Sequence, residues 1–193
     1  MTRIVSGFAG SLTLQVPKSG TRPTSDRVRE AVFSGLDARD AVRGAHVLDL
    51  FAGSGALGLE AASRGASRVL LVEKSAAAAA VCRRNAEAVV RAAPKDGRPE
   101  VEVRATAVQP YLATAGSSAA RFDLVFVDPP YALPDGDLLA VLTGLVPLLT
   151  EDVLVCVERS TRDGEPTLPE GLALDRTRAY GETAVHYLTR PPA

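Results

Sequence analysis

The sequence predicts an α/β protein built on a mostly parallel, doubly wound sheet, and three observations carry that prediction. Short apolar runs of strand character alternate with longer amphipathic stretches from about residue 46 to residue 158. One of the runs, His46-Val-Leu-Asp-Leu-Phe51, passes directly into the glycine-rich Ala52-Gly-Ser-Gly-Ala-Leu-Gly58, the arrangement of a buried strand turning into a helix. The carboxyl-terminal end breaks the alternation, because Leu172 to Ala179 and Thr183 to Arg190 are joined only by Tyr180-Gly181-Glu182 and should pair antiparallel.

Taken in order, residues 3–16 alternate around Gly7 and Gly10 and predict a small hairpin outside the main sheet. Lys18-Ser-Gly-Thr-Arg-Pro23 is rich in turn formers and reads as a linker. Thr24 or Ser25 then caps a helix reaching about Leu36, with Val28, Ala31, Val32 and Leu36 at helical spacing. Strands are expected near 46–50, 68–73, 101–105, 122–127 and 152–158, and helices near 56–64, 75–92, 108–115 and 135–149. With the two tail strands the sheet has seven. The alanine-rich stretch from Ala76 to Ala80 reads as helix, since alanine has the highest helix propensity.

The composition sets limits. A chain of 193 residues with 46% hydrophobic and 23% charged residues suits one globular fold. The net charge of −1 is neutral overall, yet residues 1–29 place Arg3, Lys18, Arg22, Arg27 and Arg29 against a single acid, Asp26. Such a cluster can track phosphates, and equally it can be a solvated face. Cys82 and Cys156 match no metal-ligand spacing and read as packed residues of a reducing compartment; no metal is expected. Met-Thr-Arg-Ile-Val-Ser-Gly at the start has no long apolar run behind its charge, and no stretch of 18 apolar residues occurs, so a cytoplasmic location with no membrane contact is expected.

Two motifs carry chemistry. The run Asp123-Leu-Val-Phe-Val-Asp-Pro-Pro-Tyr131 ends a buried strand with a carboxylate, two prolines and an aromatic ring. Prolines fix the backbone and remove N–H donors, so the Asp128 carboxylate and the Pro129 carbonyl are left as acceptors for an exocyclic amine. Tyr131 can stack on the ring that bears it, worth about 1–3 kcal/mol per stacked base. The plain alternative is a strand entering a Pro-Pro turn, with Asp128 capping and Tyr131 on the surface. The second motif is the glycine turn after residue 51. Its free N–H groups and close backbone approach suit a ligand, and Glu73, at the tip of the next expected strand, is placed to accept both hydroxyls of a ribose. Together they describe a nucleoside cofactor beside an amine-bearing base, with both motifs at carboxyl ends of neighbouring strands.

The segments GTRPTSDRVREAVF at 20–33, VLDLFAGSGALGLEAASRGA at 47–66, VLLVEKS at 69–75 and FDLVFVDPPYAL at 122–133 resemble, in order and over nearly the whole chain, the bacterial 16S rRNA guanine-N2 methyltransferases of the RsmD type. The resemblance implies a Rossmann-like class I methyltransferase fold on residues 21–193 and an RNA-contacting hairpin extension on residues 1–20. It implies S-adenosylmethionine as cofactor, with Asp49, Gly53 and Gly55 at its methionine end, Glu73 on its ribose, and Thr21, Arg22 and Thr24 near the cofactor and catalytic face. Asp128, Pro129 and Tyr131 would hold the target guanine, and Arg3, Gly7, Lys18 and Arg27 would contact RNA. The partner implied is small-subunit rRNA or an assembling ribosomal particle, and a monomer is expected. One position departs from the pattern: relatives often carry Asp or Asn before an alanine after the strand near 101–105, whereas this chain reads Arg104-Ala-Thr-Ala-Val108, leaving adenine recognition unassigned.

Rival readings remain at this level. A DNA amino-methyltransferase needs surface for groove contacts, and only about 45 residues precede the core sheet. A cytosine-C5 enzyme needs a thiolate in the Pro-Pro loop, where there is none. A protein-glutamine methyltransferase would use a similar slot. An NAD-dependent oxidoreductase shares the Gly53-x-Gly55-x-x-Gly58 and Glu73 fingerprint, but His46 and His186, the two histidines available for proton relay, lie at a strand start and in the terminal hairpin. A non-catalytic RNA-binding module is the remaining alternative.

Overall fold

The central apolar runs become strands because they have side chains to bury on both faces. The structure, a computed structural model, describes residues 2–17, 26–116 and 121–191. In chain order the elements are β1 (Thr2–Arg3), β2 (Thr13–Leu14), α1 (Asp26–Asp37), β3 (His46–Leu50), α2 (Ala56–Ser63), β4 (Arg68–Glu73) and α3 (Ala76–Ala92). They continue with β5 (Glu100–Ala105), α4 (Val108–Ala115), β6 (Phe122–Val127), α5 (Asp135–Leu145), β7 (Leu149–Ser160), β8 (Ala173–Tyr180) and β9 (Thr183–Thr189). The main sheet has the order β5-β4-β3-β6-β7-β9-β8. The first five in that order run parallel, and β9 joins β7 and β8 antiparallel, as the tail pattern predicts.

Strand β3 shows how the two faces are filled. Val47 packs with α1 and α2 residues such as Phe33 and Leu59 in one core, while Leu48 and Leu50 join Val141 and Leu142 of α5 in the other. Phe126 of β6 meets Phe33 at 5.5 Å between ring centroids, fixing α1 over the sheet. Consecutive strands run outward from β3 through β4 to β5, and the chain then returns to β6 on the other side of β3. The reversal opens a crevice at the carboxyl ends of β3 and β6, where ligands bind in open α/β sheets.

Two boundaries differ from expectation. The helix expected to reach 149 ends at Leu145 and passes through a 3-10 turn at Val146–Leu148, so β7 begins at Leu149. Pro147 is the cause, because it offers no N–H to the residue four back and its ring clashes with that carbonyl. The N-terminal hairpin is reduced to two residue pairs, Thr2 with Leu14 and Arg3 with Thr13. Between them the chain folds through tight turns such as Gly10 N to Gly7 O at 3.1 Å. Neither short strand could hold this extension, and polar side chains of α2 do so instead. The wholly buried Glu60 carboxylate accepts from Val5 N at 2.7 Å and Ser6 N at 3.0 Å, and Ser63 Oγ accepts from Ala9 N at 2.9 Å. Ile4, Ala9 and Leu14 belong to the same core as Val47 and Leu59.

Candidate functional site

A cleft of about 410 Å³ opens over the tips of β4, β3 and β6. Its floor begins with the turn after β3. Phe51 and Gly53 have φ of 64° and 55°, and Gly55 has 81°, so three of five consecutive residues lie in the left-handed region. Glycine adopts that conformation without cost, but Phe51 is strained, of the order of 1–3 kcal/mol, and it lines the cleft. Nothing in the sequence signals this conformation. Gly55 turns its open face to Cys82 Sγ, 2.8 Å from where a Cβ would stand, and so lets the turn seat on α3. Gly58, the third glycine, packs α2 against the sheet: a Cβ there would lie 2.4 Å from Leu71 Cδ2.

The carboxylates expected to face a cofactor are held by this turn. Asp49 points to the α2 side of β3 and its Oδ2 accepts from Gly58 N at 2.9 Å. Burial pushes its pKa up to about 7; the Gly58 bond opposes the rise, and the nearby charges of Asp128 and Glu73 add to it. Glu73 accepts from Gly53 N through Oε2 at 2.9 Å and from Ser75 N through Oε1 at 2.7 Å. Each Glu73 oxygen keeps a lone pair for a further donor. Both acids line the cleft together with Gly53, Ser54, Lys74 and Ser75.

On the other side, Asp128 and Pro130 line the same cleft, and the register of β3 against β6 sets Leu50 beside Val127, so the two motif tips are neighbours. Neither Pro129 nor Tyr131 is part of the lining: Pro129 is buried, whereas Tyr131 is 57% exposed within the turn closed by Leu133 N to Pro130 O at 2.8 Å. Leu133 and Val141 form an apolar recess next to them. The start of α4 contributes Ala107, Val108 and Gln109 at the far end, past Glu73.

The N-terminal extension reaches the cleft as well, through Val16 and Pro17. Asn85 of α3 makes that connection and was not legible as a site residue: Oδ1 accepts from Gln15 N at 2.9 Å, and Nδ2 donates to Gln15 O at 2.9 Å and to Ser54 O at 2.8 Å. Of the expected RNA contacts, Arg3 has a side chain 63% exposed with Nε 3.5 Å from Asp26, and Arg27 is exposed on α1. Gly7, at φ 82°, sits against α2, where a Cβ would fall 1.9 Å from Ser63 O. Arg29 leaves the amino-terminal cationic cluster: it is wholly buried, and it donates to Asp26 Oδ1 at 2.9 Å and to the Arg3 carbonyl. Lys18, Thr21, Arg22, Thr24 and the expected cap at Ser25 lie outside the described residues.

Cys82 and Cys156 are buried, and burial raises both thiols, Cys156 to about 12, so neither is a poised nucleophile. Among the described residues no group of three or more His, Cys, Asp and Glu is arranged to hold a metal ion, and no helix is long and apolar enough to cross a membrane.

The family model described as "Conserved hypothetical protein 95" matches residues 2–189. Ribosomal RNA small subunit methyltransferase D of Escherichia coli K12 is 36% identical over 192 residues, covering 97% of this chain and 89% of that protein. Among solved structures, the hypothetical protein TTHA0928 of Thermus thermophilus superposes with a TM-score of 0.79 at 34% identity, covering 99% of this chain and all of that one. Magnesium protoporphyrin IX methyltransferase of Synechocystis PCC 6803, solved with bound S-adenosylmethionine, has a TM-score of 0.64 at 14% identity over 89% of this chain and 87% of its own, a likeness of fold. The sheet order, the cleft at its switch point and these matches over nearly the full length establish that the chain has the class I methyltransferase fold and belongs to the conserved hypothetical protein 95 family.

Proposed function

We propose that the protein transfers a methyl group from S-adenosylmethionine to the exocyclic N2 amine of a guanine in small-subunit ribosomal RNA. The observation that carries the reading is that one cleft is lined at once by the Asp49, Gly53 and Glu73 group and by Asp128 and Pro130. The cofactor fits the donor set. Glu73 keeps lone pairs for two ribose hydroxyls, and the buried Asp49, its pKa raised by desolvation and by the charges of Asp128 and Glu73, would be held ionised by a cation bound beside it. The residues lining the cleft come from the α4 start and from the tips of β4, β3 and β6, and in this reading adenine, ribose, methionine and target base would follow that order.

When bound, S-adenosylmethionine supplies an electrophilic methyl group on a sulfonium. The protein's task is then positioning and electrostatics. A guanine amine is a weak nucleophile because its lone pair is delocalised into the ring. Hydrogen bonds from its N–H groups to the Asp128 carboxylate and the Pro129 carbonyl favour a pyramidal nitrogen and stabilise the positive charge that develops there. Electrostatic groups of this type contribute about a hundred- to a thousand-fold each. Asp128 then takes the proton, which becomes acidic only after the methyl has arrived. Tyr131, exposed next to the cleft-lining Pro130, is available in this reading to stack on a base that has left its helix. Arg3, Gly7, Lys18 and Arg27 belong in this reading to the RNA-facing extension, and Thr21, Arg22 and Thr24 to the segment that approaches the cofactor.

The 36% identity to the Escherichia coli protein supports ribosomal RNA of the small subunit as the substrate. The test is incubation with labelled S-adenosylmethionine and separate pools of small subunits, free rRNA and DNA, followed by nucleoside mass spectrometry. N2-methylguanosine from small-subunit rRNA is expected; label in DNA, in protein or on another base would reject the assignment.

A further inference from the structure

The loop that carries the target-base residues is held from outside the motif. Arg159, near the end of β7 and only 6% exposed, donates through Nη1 to Leu133 O at 3.1 Å and through Nη2 to Asp135 Oδ1 at 2.9 Å. Its Nε lies 3.3 Å from Asp163 Oδ2, so the buried cation is paired. Leu133 lines the cleft and closes the turn on Pro130 O, so the guanidinium is one hydrogen bond from the cleft wall. Register explains the reach: Val127 of β6 pairs with Val157 of β7, which sets position 159 alongside the start of the Pro-Pro turn.

We propose that Arg159 is a positioning residue for methyl transfer, holding the segment from Asp128 to Asp135 in the conformation that receives the target base. The proposal rests on the functional reading above. A planar, forked donor suits the task, since it grips a backbone carbonyl and a side-chain carboxylate at a fixed spacing. Prolines at 129 and 130 stiffen the loop but remove two N–H groups that could have tied it to the sheet, so the restraint has to come from a neighbouring side chain. Misplacement of a reacting group by about 1 Å costs on the order of a hundredfold.

The experiment compares Arg159→Met, Arg159→Lys, Asp135→Asn and the Arg159→Met/Asp135→Asn double variant by three readouts: amide hydrogen exchange, calorimetric affinity for S-adenosylhomocysteine, and single-turnover methyl transfer to small subunits. In Arg159→Met, exchange across 131–138 should accelerate at least about tenfold with residues 46–58 unchanged. Affinity for S-adenosylhomocysteine should stay within about twofold, and transfer should fall by about ten- to a hundredfold. Arg159→Lys should recover part of the loss, and Asp135→Asn should add nothing on top of Arg159→Met. The proposal is overturned if Arg159→Met leaves loop exchange or transfer unchanged, or if cofactor affinity falls in step with rate, the mark of general destabilisation. Were the unaltered protein to methylate something other than guanine, the function proposed above would fall, while the contrast between variants, measured on that substrate, would still decide the role of Arg159.

Discussion

Near the tips of β3 and β4 the carboxylates of Asp49 and Glu73 accept hydrogen bonds from backbone N–H groups, of α2 for Asp49 and of the loops after β3 and β4 for Glu73. At the tip of β6 the loop bearing Asp128 and Tyr131 is braced by a guanidinium from the next strand. The first region is satisfied from within and mostly buried; the second is more open to solvent, with Tyr131 57% exposed. The contrast follows from what each must do. A small cofactor that is the same in every turnover is best met by a site already formed, whereas a base attached to a large polymer must enter from solvent. The two regions should therefore fail differently when altered.

The largest effect is expected at the open side. Asp128→Ala should lower methyl transfer by about a hundred- to a thousandfold, since it removes an acceptor matched to charge developing in the transition state. Affinity for S-adenosylhomocysteine should change by less than about twofold. Labelled transfer and calorimetry on the same preparation check both halves, and turnover near that of the unaltered protein would remove Asp128 from the proposed mechanism.

A smaller loss, of the other kind, is expected at Glu73→Ala. The residue is proposed to hold the ribose, and it also ties Gly53 N and Ser75 N together. A hydrogen bond to a charged group is worth about 1.5–3 kcal/mol, so cofactor affinity should drop by about ten- to a hundredfold, with the transfer rate at saturating cofactor far less affected. Unchanged affinity by calorimetry would contradict the ribose role and blur the distinction between the two sides.

The same contrast explains what could be read from the chain. Doubly wound topology was legible because Val47, Leu48 and Leu50 on β3, interrupted only by Asp49, and Leu124 to Val127 on β6 are apolar runs leading into glycine or proline, signals that depend on a few neighbouring residues. The juxtaposition of Glu73, the glycine turn and Asp128 followed from where strands end. Long-range polar bracing left no such trace. Glu60 holds residues 55 positions away, Asn85 reaches 70 back to Gln15, and Arg159 reaches 26 back to Leu133. None of these pairs has a local spacing that distinguishes it from surface charge on a helix or strand. Arg29 shows the opposite error, since a cation counted toward a phosphate-tracking cluster is buried against Asp26 and the Arg3 carbonyl. Pro147 was a visible breaker that shortened α5, a case where a local rule outranked a continuing apolar pattern.

The smallest effect separates the two regions by pH. In the free protein Asp49 has a pKa near 7, because burial and the charges of Asp128 and Glu73 outweigh the Gly58 bond. Its folded value lies above the ordinary 3.8, so the fold favours the protonated form. This group's stabilisation is therefore complete below pH 3.8, falls as pH rises toward about 7, and is lost above it. A cationic ligand reverses the preference, since it is attracted to the ionised carboxylate and lowers its pKa. Binding of S-adenosylmethionine should then release a proton below about pH 7, and affinity should rise by up to about fivefold between pH 6 and pH 7 before levelling off. Calorimetry in buffers of different ionisation heat measures the proton release directly. Asp49→Asn should flatten the profile, whereas Asp128→Ala should only shift its midpoint downward by removing one repelling charge. If the slope survives in Asp49→Asn, the titrating group lies elsewhere in the cleft, and the buried acid beneath the turn is not what senses the cofactor's charge.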